Sequence, residues 1–138
     1  NFDVMKSNYL LLIVFAFLFF GINEIIAQKN WEVPEYTKGL KNPFAGKSVA
    51  TESGKEIYEQ MCVLCHGLTG QGNGEAALSM EKKPANFLAL KDIQNETDGE
   101  IFWKITVGKP PMSSYDELLT EDQRWKLVNY IRKLNSKK

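Results

Sequence analysis

Two cysteines and one histidine are all that this 138-residue chain holds of those types, and they fall within five positions, at Cys62, Cys65 and His66. The stretch that follows, "GLTGQGNG", carries Gly67, Gly70, Gly72 and Gly74, and no helical or strand period holds over the roughly thirty residues from Gly67 to Glu96. A structureless segment of that length is unusual in a small domain unless something other than protein organises it. A ligand cluster followed by a glycine-rich gap therefore predicts a chain folded around a bound group.

Outside that gap the pattern is helical. The first helix runs from Ser53 to about Leu64, "SGKEIYEQMCVL", where Ile57 and Met61, and also Tyr58 and Cys62, are four apart and share a face. The second opens at "TDGE", a capping box of Thr97 and Glu100. Its body puts Ile101 and Ile105 on one stripe with Phe102 beside it, and Gly108 followed by Pro110-Pro111 stops it. The third opens at "TEDQ", a capping box of Thr120 and Gln123, and continues through Leu127, Tyr130, Ile131 and Leu134 at helical spacing. No segment alternates like a strand, so the expected class is all-α.

The organisation reads as three parts. Residues 1–27 form a signal peptide or N-terminal membrane anchor: Lys6 precedes the apolar run Leu10–Ile22, whose thirteen residues match a signal-peptide core rather than a full span. Ala27 marks a plausible cleavage point, and residues 1–4 read as an upstream extension before Met5. Export is thereby expected, to the periplasm or another extracytoplasmic space, with membrane contact possible through residues 9–27. Residues 28–50, punctuated by Pro34, Gly39, Pro43 and Gly46, read as an irregular arm that Trp31, Val33 and Phe44 pack against the body. Residues 51–138 are the domain proper. Basic and acidic residues balance at 17 each with no long tract of either sign, which gives no footprint for nucleic acid.

Cys-x-x-Cys-His is the attachment signature of c-type haem. Two thiols must add across the two vinyl groups on one side of a porphyrin, and the next residue must bring an imidazole beneath the iron. Cysteines at i and i+3 leave one helical turn with both sulfurs on one side. A structural zinc would need a fourth ligand from Asp or Glu, since no other Cys or His exists. A thioredoxin-like pair would need a strand before the motif and a helix after it, whereas a helix precedes and glycines follow. The implied cofactor is one covalently attached haem c, with His66 as one axial ligand.

With a single histidine, the second axial ligand falls to a methionine: Met5, Met61, Met80 or Met112. Met5 lies in the leader, Met61 points away beside Cys62, and Met80 sits in the polar "ALSMEKKP", where core packing is its simpler role. Met112 follows "GKPP", read as a rigid extended approach that leaves a thioether little entropy to lose. The candidate set is Cys62, Cys65, His66 and Met112, with His66 and Met112 on the metal.

These residues resemble the class I c-type cytochromes, bacterial single-haem electron carriers, over roughly residues 50–135. "GKEIYEQMCVLCHGLTGQGNG" is similar to the family's first helix and attachment loop, "TDGEIFWKITVG" to a helix of bacterial members, and "GKPPMSSY" to the methionine loop. "LVNYIRKL" resembles the last helix, in which Leu127 and Tyr130 would cross the first helix at Gly54 and Tyr58. "PANF", Pro84–Phe87, resembles the segment whose backbone carbonyl accepts the histidine Nδ1–H. Ser113 departs from the proline often found after the methionine, which leaves the loop less constrained.

The resemblance implies a cytochrome c fold, three main helices and long loops wrapped around one haem, within a cytochrome c domain at 51–138. It implies electron transfer between Fe(II) and Fe(III) with His/Met ligation, and no catalysis by the chain itself. Leu64, Phe87, Leu88, Phe102, Ile105 and Val128 are candidates for the haem wall as well as for ordinary core. Trp103, Trp125 and Tyr115 are candidates for a propionate. Partners would be a redox donor and acceptor docking transiently, with Lys82, Lys83, Lys104 and Lys109 as a weak positive rim. Two alternatives stay open: a haem-bearing subunit of a larger membrane oxidoreductase, and an open-site haem sensor or peroxidase.

Overall fold

The computed structural model describes residues 31–89 and 93–136. Among them are four α-helices: α1 (Ser48–Met61), α2 (Val63–His66), α3 (Asp98–Val107) and α4 (Glu121–Asn135). Two 3-10 turns, Glu35–Gly39 and Glu75–Ser79, accompany them. There is no strand among the described residues, only an isolated bridge between Lys109 and Met112. The leader expected over residues 1–27 lies outside the described residues. No described helix is long and apolar enough to cross a membrane.

Helices α3 and α4 start where their sequences require. Thr97 accepts from the Glu100 N–H while the Glu100 carboxylate accepts from the Thr97 N–H, and Thr120 and Gln123 repeat the arrangement on α4. Each box satisfies two of the donors that a helix start leaves orphaned. Gly108, at φ 63°, ends α3.

Helix α1 differs from its sequence reading: it begins at Ser48, five residues before the expected Ser53. Ser53 is no cap; its hydroxyl donates back to the Val49 carbonyl at 3.2 Å, inside the helix. Gly54 is the point where α1 crosses α4, as the resemblance to the family's first and last helices implies. A Cβ there would lie 2.0 Å from the Lys126 carbonyl oxygen. Beside the crossing Tyr58, Leu127 and Val128 are fully buried, each side chain contributing about 1.5–3 kcal/mol through burial. Tyr58 meets Tyr130 at a ring separation of 5.1 Å. The α1–α4 packing is the most extensive in Val33–Lys138, which is one compact unit.

The arm before α1 is tied down by polar groups. Asn42 Nδ2 donates to Asn129 Oδ1 at 2.8 Å and to the Trp125 carbonyl at 3.2 Å, and Asn129 Nδ2 donates to the Phe44 carbonyl at 2.6 Å. The expected Phe44 contact is present, with its ring packed against the core and the Lys47 and Lys126 ammonium groups 5.3 and 5.2 Å from its centre. The Glu35–Gly39 turn sits so close to α3 that a Cβ on Gly99 would come within 1.9 Å of the Thr37 carbonyl oxygen. On the far side Arg132 of α4 donates to Asp98 Oδ1 at 2.8 Å and to the carbonyls of Ile93 and Glu96.

Gly54→Ala is expected to cost at least roughly 2 kcal/mol, because backbone must move to admit the methyl. Gly39→Ala, with nothing within 4 Å of the new Cβ, should stay within about 0.5 kcal/mol of wild type. Denaturant midpoints of the two variants check the crossing; equal midpoints would remove it as a constraint.

Candidate functional site

At the end of α1 the chain breaks its helix at Cys62 (φ −118°, ψ −29°) and makes the single turn α2, which carries Cys65 and His66. The His66 N–H donates to the Cys62 carbonyl at 2.8 Å, so the two cysteines and the histidine share one closed turn. The glycine-rich tail then folds back: the Gly72 N–H donates to the His66 carbonyl at 2.8 Å and the Gly74 N–H to the Cys65 carbonyl at 3.1 Å. Part of the order in this gap thus comes from the chain itself. Gly72, at φ 72°, also lies where a Cβ would strike the Pro84 carbonyl oxygen at 2.4 Å, so a residue with a side chain is doubly unfavourable there.

That close approach brings the "PANF" segment under the imidazole. His66 Nδ1 lies 3.2 Å from the Ala85 carbonyl oxygen, and its ring stacks on Phe87 at 4.6 Å with an interplanar angle of 15°. With Nδ1–H donating to Ala85, the lone pair is on Nε2, the arrangement of a metal-ligating histidine oriented by its second shell. Burial holds the imidazole below its ordinary range, opposed by the Ala85 carbonyl. The segment is anchored by the Phe87 N–H on the Gly70 carbonyl at 2.7 Å and by Asn135 Nδ2 on the Phe87 carbonyl at 2.6 Å.

Cys62 and Cys65 are free and half-buried. Burial, with Cys65 adding to it, pushes the Cys62 thiol up to about 12, the opposite of the depressed thiol of a disulfide oxidoreductase. No group of three or more His, Cys, Asp and Glu side chains among the described residues could hold a metal ion, so the two sulfurs and the imidazole do not converge as a zinc site demands. Two thiols beside one oriented imidazole fit a porphyrin bonded at its edge and ligated at its centre.

The Met112 loop takes a different shape from the extended approach read in its sequence. Lys109 and Met112 exchange both backbone hydrogen bonds, at 2.9 and 2.8 Å, across a cis Pro110–Pro111 peptide, so the chain reverses there. Met112 is half-buried and packs against the core. Three residues later Tyr115 reaches the attachment turn: its hydroxyl donates to the Met61 carbonyl at 3.0 Å. Burial, then the neighbouring Cys62 and Cys65, raise its phenol above the ordinary value. Met61 is 37 % exposed at the end of α1, Met80 is half-buried after the Glu75–Ser79 turn, and Met5 lies outside the described residues.

The remaining candidates sort by burial. Phe87 and Ile105 belong to the protein's own core and Val128 is fully enclosed in it, Leu88 and Phe102 are half-buried, and Leu64 is 62 % exposed. Trp125 stacks on Phe102 at 3.9 Å and donates Nε1–H to Glu121. Of the basic rim, Lys83 donates to the Ala77 carbonyl at 2.6 Å and Lys104 pairs with Glu96, so both serve internal contacts. The sequence reading missed Arg124, which is 7 % exposed and holds the segment after Met112. Its one local signal is a cation in the first turn of a helix, where the macrodipole disfavours it.

The family described as cytochrome c oxidase, cbb3-type, subunit III, matches residues 49–131, from the first turn of α1 into α4. The chain belongs to this family of cytochrome c domains. Its fold is accordingly the all-α cytochrome c fold, and the domain's chemistry is haem-based electron transfer. Among solved structures, a chain of the reducing HAO-like protein complex of Kuenenia stuttgartiensis is similar, at 30 % identity and a TM-score of 0.60. The match covers 70 % of this cytochrome domain's chain and 48 % of that one, so the chain spans about half the length of this relative. No curated protein matches.

Tyr58 supports the attachment turn from beneath. It is 0 % exposed, its hydroxyl donates to the Gly67 carbonyl at 2.7 Å, and burial pushes its phenol well above the ordinary value. Tyr58→Phe is expected to lower stability by about 1 kcal/mol, the net worth of one buried hydrogen bond. Thermal unfolding of the haem-loaded protein checks it.

Proposed function

We propose that the chain is a monohaem electron carrier with His66 and Met112 as axial ligands, working outside the cytoplasm. The observation that carries this reading is the Tyr115 hydroxyl on the Met61 carbonyl at 3.0 Å. Through it the methionine loop is fastened to the turn that bears both thiols and the imidazole.

Cys62 and Cys65 would supply the sulfurs for two thioether bonds, and His66, its ring fixed by the Ala85 carbonyl, would offer Nε2 to the iron. Haem c would supply a metal that gains and loses one electron, and a thioether ligand from Met112 beside the His66 imidazole would favour its ferrous state. What the protein adds is constancy. The imidazole is braced by a carbonyl and a stacked ring, and the Met112 loop by bonds on both sides, so neither ligand has to move when the charge changes. The leader expected over residues 1–27 agrees with an extracytoplasmic site.

A second reading, a haem-bearing subunit of a larger oxidoreductase, is favoured by the similarity to a chain of a reducing HAO-like protein complex. Pull-down from native membranes with haem retained separates the two. Stable companion chains support the subunit, and a free protein docking transiently supports the carrier.

Met112→Ala is expected to keep covalent haem, to lose the sulfur-to-iron absorption band and to bind exogenous ligands. Its potential should fall by on the order of 0.1–0.3 V, within the roughly 0.8 V that axial ligands control. A spectrum identical to wild type removes Met112 from the iron. Cys62→Ala combined with Cys65→Ala should leave the denatured polypeptide at apoprotein mass after expression with a cytochrome maturation system, whereas wild type carries the mass of one haem.

A further inference from the structure

Arg124 is the most deeply buried cation described, and the use made of its guanidinium is local. It stands in the first turn of α4, 7 % exposed, where the helix dipole opposes a positive charge. Its Nη1 donates to the Asp116 carbonyl at 2.8 Å, to Asp116 Oδ1 at 2.7 Å and to the Leu119 carbonyl at 3.1 Å, with the Tyr115 carbonyl at 3.4 Å. Every acceptor lies between Tyr115 and Leu119. The Asp116 side chain is 62 % exposed, so the ion pair adds little, and the backbone carbonyls carry most of the hold. Nε is buried with no partner, and the Phe102 ring lies 5.4 Å from the guanidinium carbon. Burying a charge so incompletely paired is costly.

The segment it grips follows directly on Met112. Ser113 and Ser114 bring no ring to restrain the backbone, and fixed contacts take over instead. Ser114 Oγ donates to the Thr106 carbonyl at 2.7 Å and the Tyr115 N–H to the Ile105 carbonyl at 3.2 Å, tying the loop to the open end of α3. Arg124 ties the same segment to α4. Resting on the Met112 assignment above, we infer that Arg124 is a positioning residue for the distal ligand: by gripping the carbonyls of residues 115–119 it keeps the Met112 loop closed.

The test compares ferric haem-loaded wild type with Arg124→Gln, Arg124→Lys and Arg132→Gln, reading the sulfur-to-iron band, the rate of imidazole binding and the thermal midpoint. Arg132 is the control, a second α4 arginine bonded to carbonyls of Ile93 and Glu96, away from the methionine loop. Arg124→Gln should keep covalent haem, weaken the band and bind imidazole faster, on the order of tenfold for each net hydrogen bond lost. Arg124→Lys should fall between it and wild type, since an ammonium lacks the rigid fork. Arg132→Gln should lower the midpoint yet leave band and binding rate within about twofold of wild type, as independent sites do.

Equal imidazole rates in Arg124→Gln and wild type overturn the inference, and so does an equal acceleration in Arg132→Gln. If neither Arg124 variant folds with haem, the residue belongs to the core as a whole and the loop-specific role is overturned. A wild type that lacks the band strikes the Met112 assignment itself, whereas a normal wild-type band with an unmoved Arg124→Gln strikes only this inference.

Discussion

The site depends on one backbone contact, the crossing of α1 and α4 at Gly54. Because a Cβ there would meet the Lys126 carbonyl at 2.0 Å, the helices approach more closely than side chains would permit. That closeness fixes where α1 ends, and the attachment turn hangs from its last residue. It also fixes the first turn of α4, from which Arg124 reaches across to the methionine loop. Both ends of the candidate site are therefore referenced to the same crossing, and the short tethers between them work because the frame behind them does not give.

What was legible in the sequence follows from the range of each interaction. The capping boxes at Thr97 and Thr120 close within four residues, so the local pattern contains the whole interaction. The start of α1 at Ser48 was not legible, because Lys47 before it makes no side-chain capping bond, whereas the crossing at Gly54, against a carbonyl more than seventy positions away, came from the family resemblance alone. Ser53 alone read locally as a boundary. The arm shows the same limit: Asn42 and Asn129 are 87 positions apart, and asparagine in isolation signals only a turn.

The site divides along the same line. The motif of Cys62, Cys65 and His66 stands out by spacing alone, and the carbonyl that the resemblance expected from Pro84–Phe87 is that of Ala85. The extended reading of "GKPPM" gave way to a reversed turn, since proline fixes φ but leaves the direction of the chain to its hydrogen bonds. Arg124 offered no periodic signal, because a basic residue beside two acidic ones at a helix start reads as a solvated face. Only the burial of the guanidinium and the identity of its acceptors reveal its work.

The bonds that fold the glycine tail back onto the attachment turn run from main chain to main chain, through the N–H groups of Gly72 and Gly74. They ask nothing of the neighbouring side chains. Leu68 and Thr69 are exposed, so this part of the rim is open to variation in shape and charge while the imidazole stays in register. A lineage could thus retune whom the rim greets without disturbing what lies beneath it.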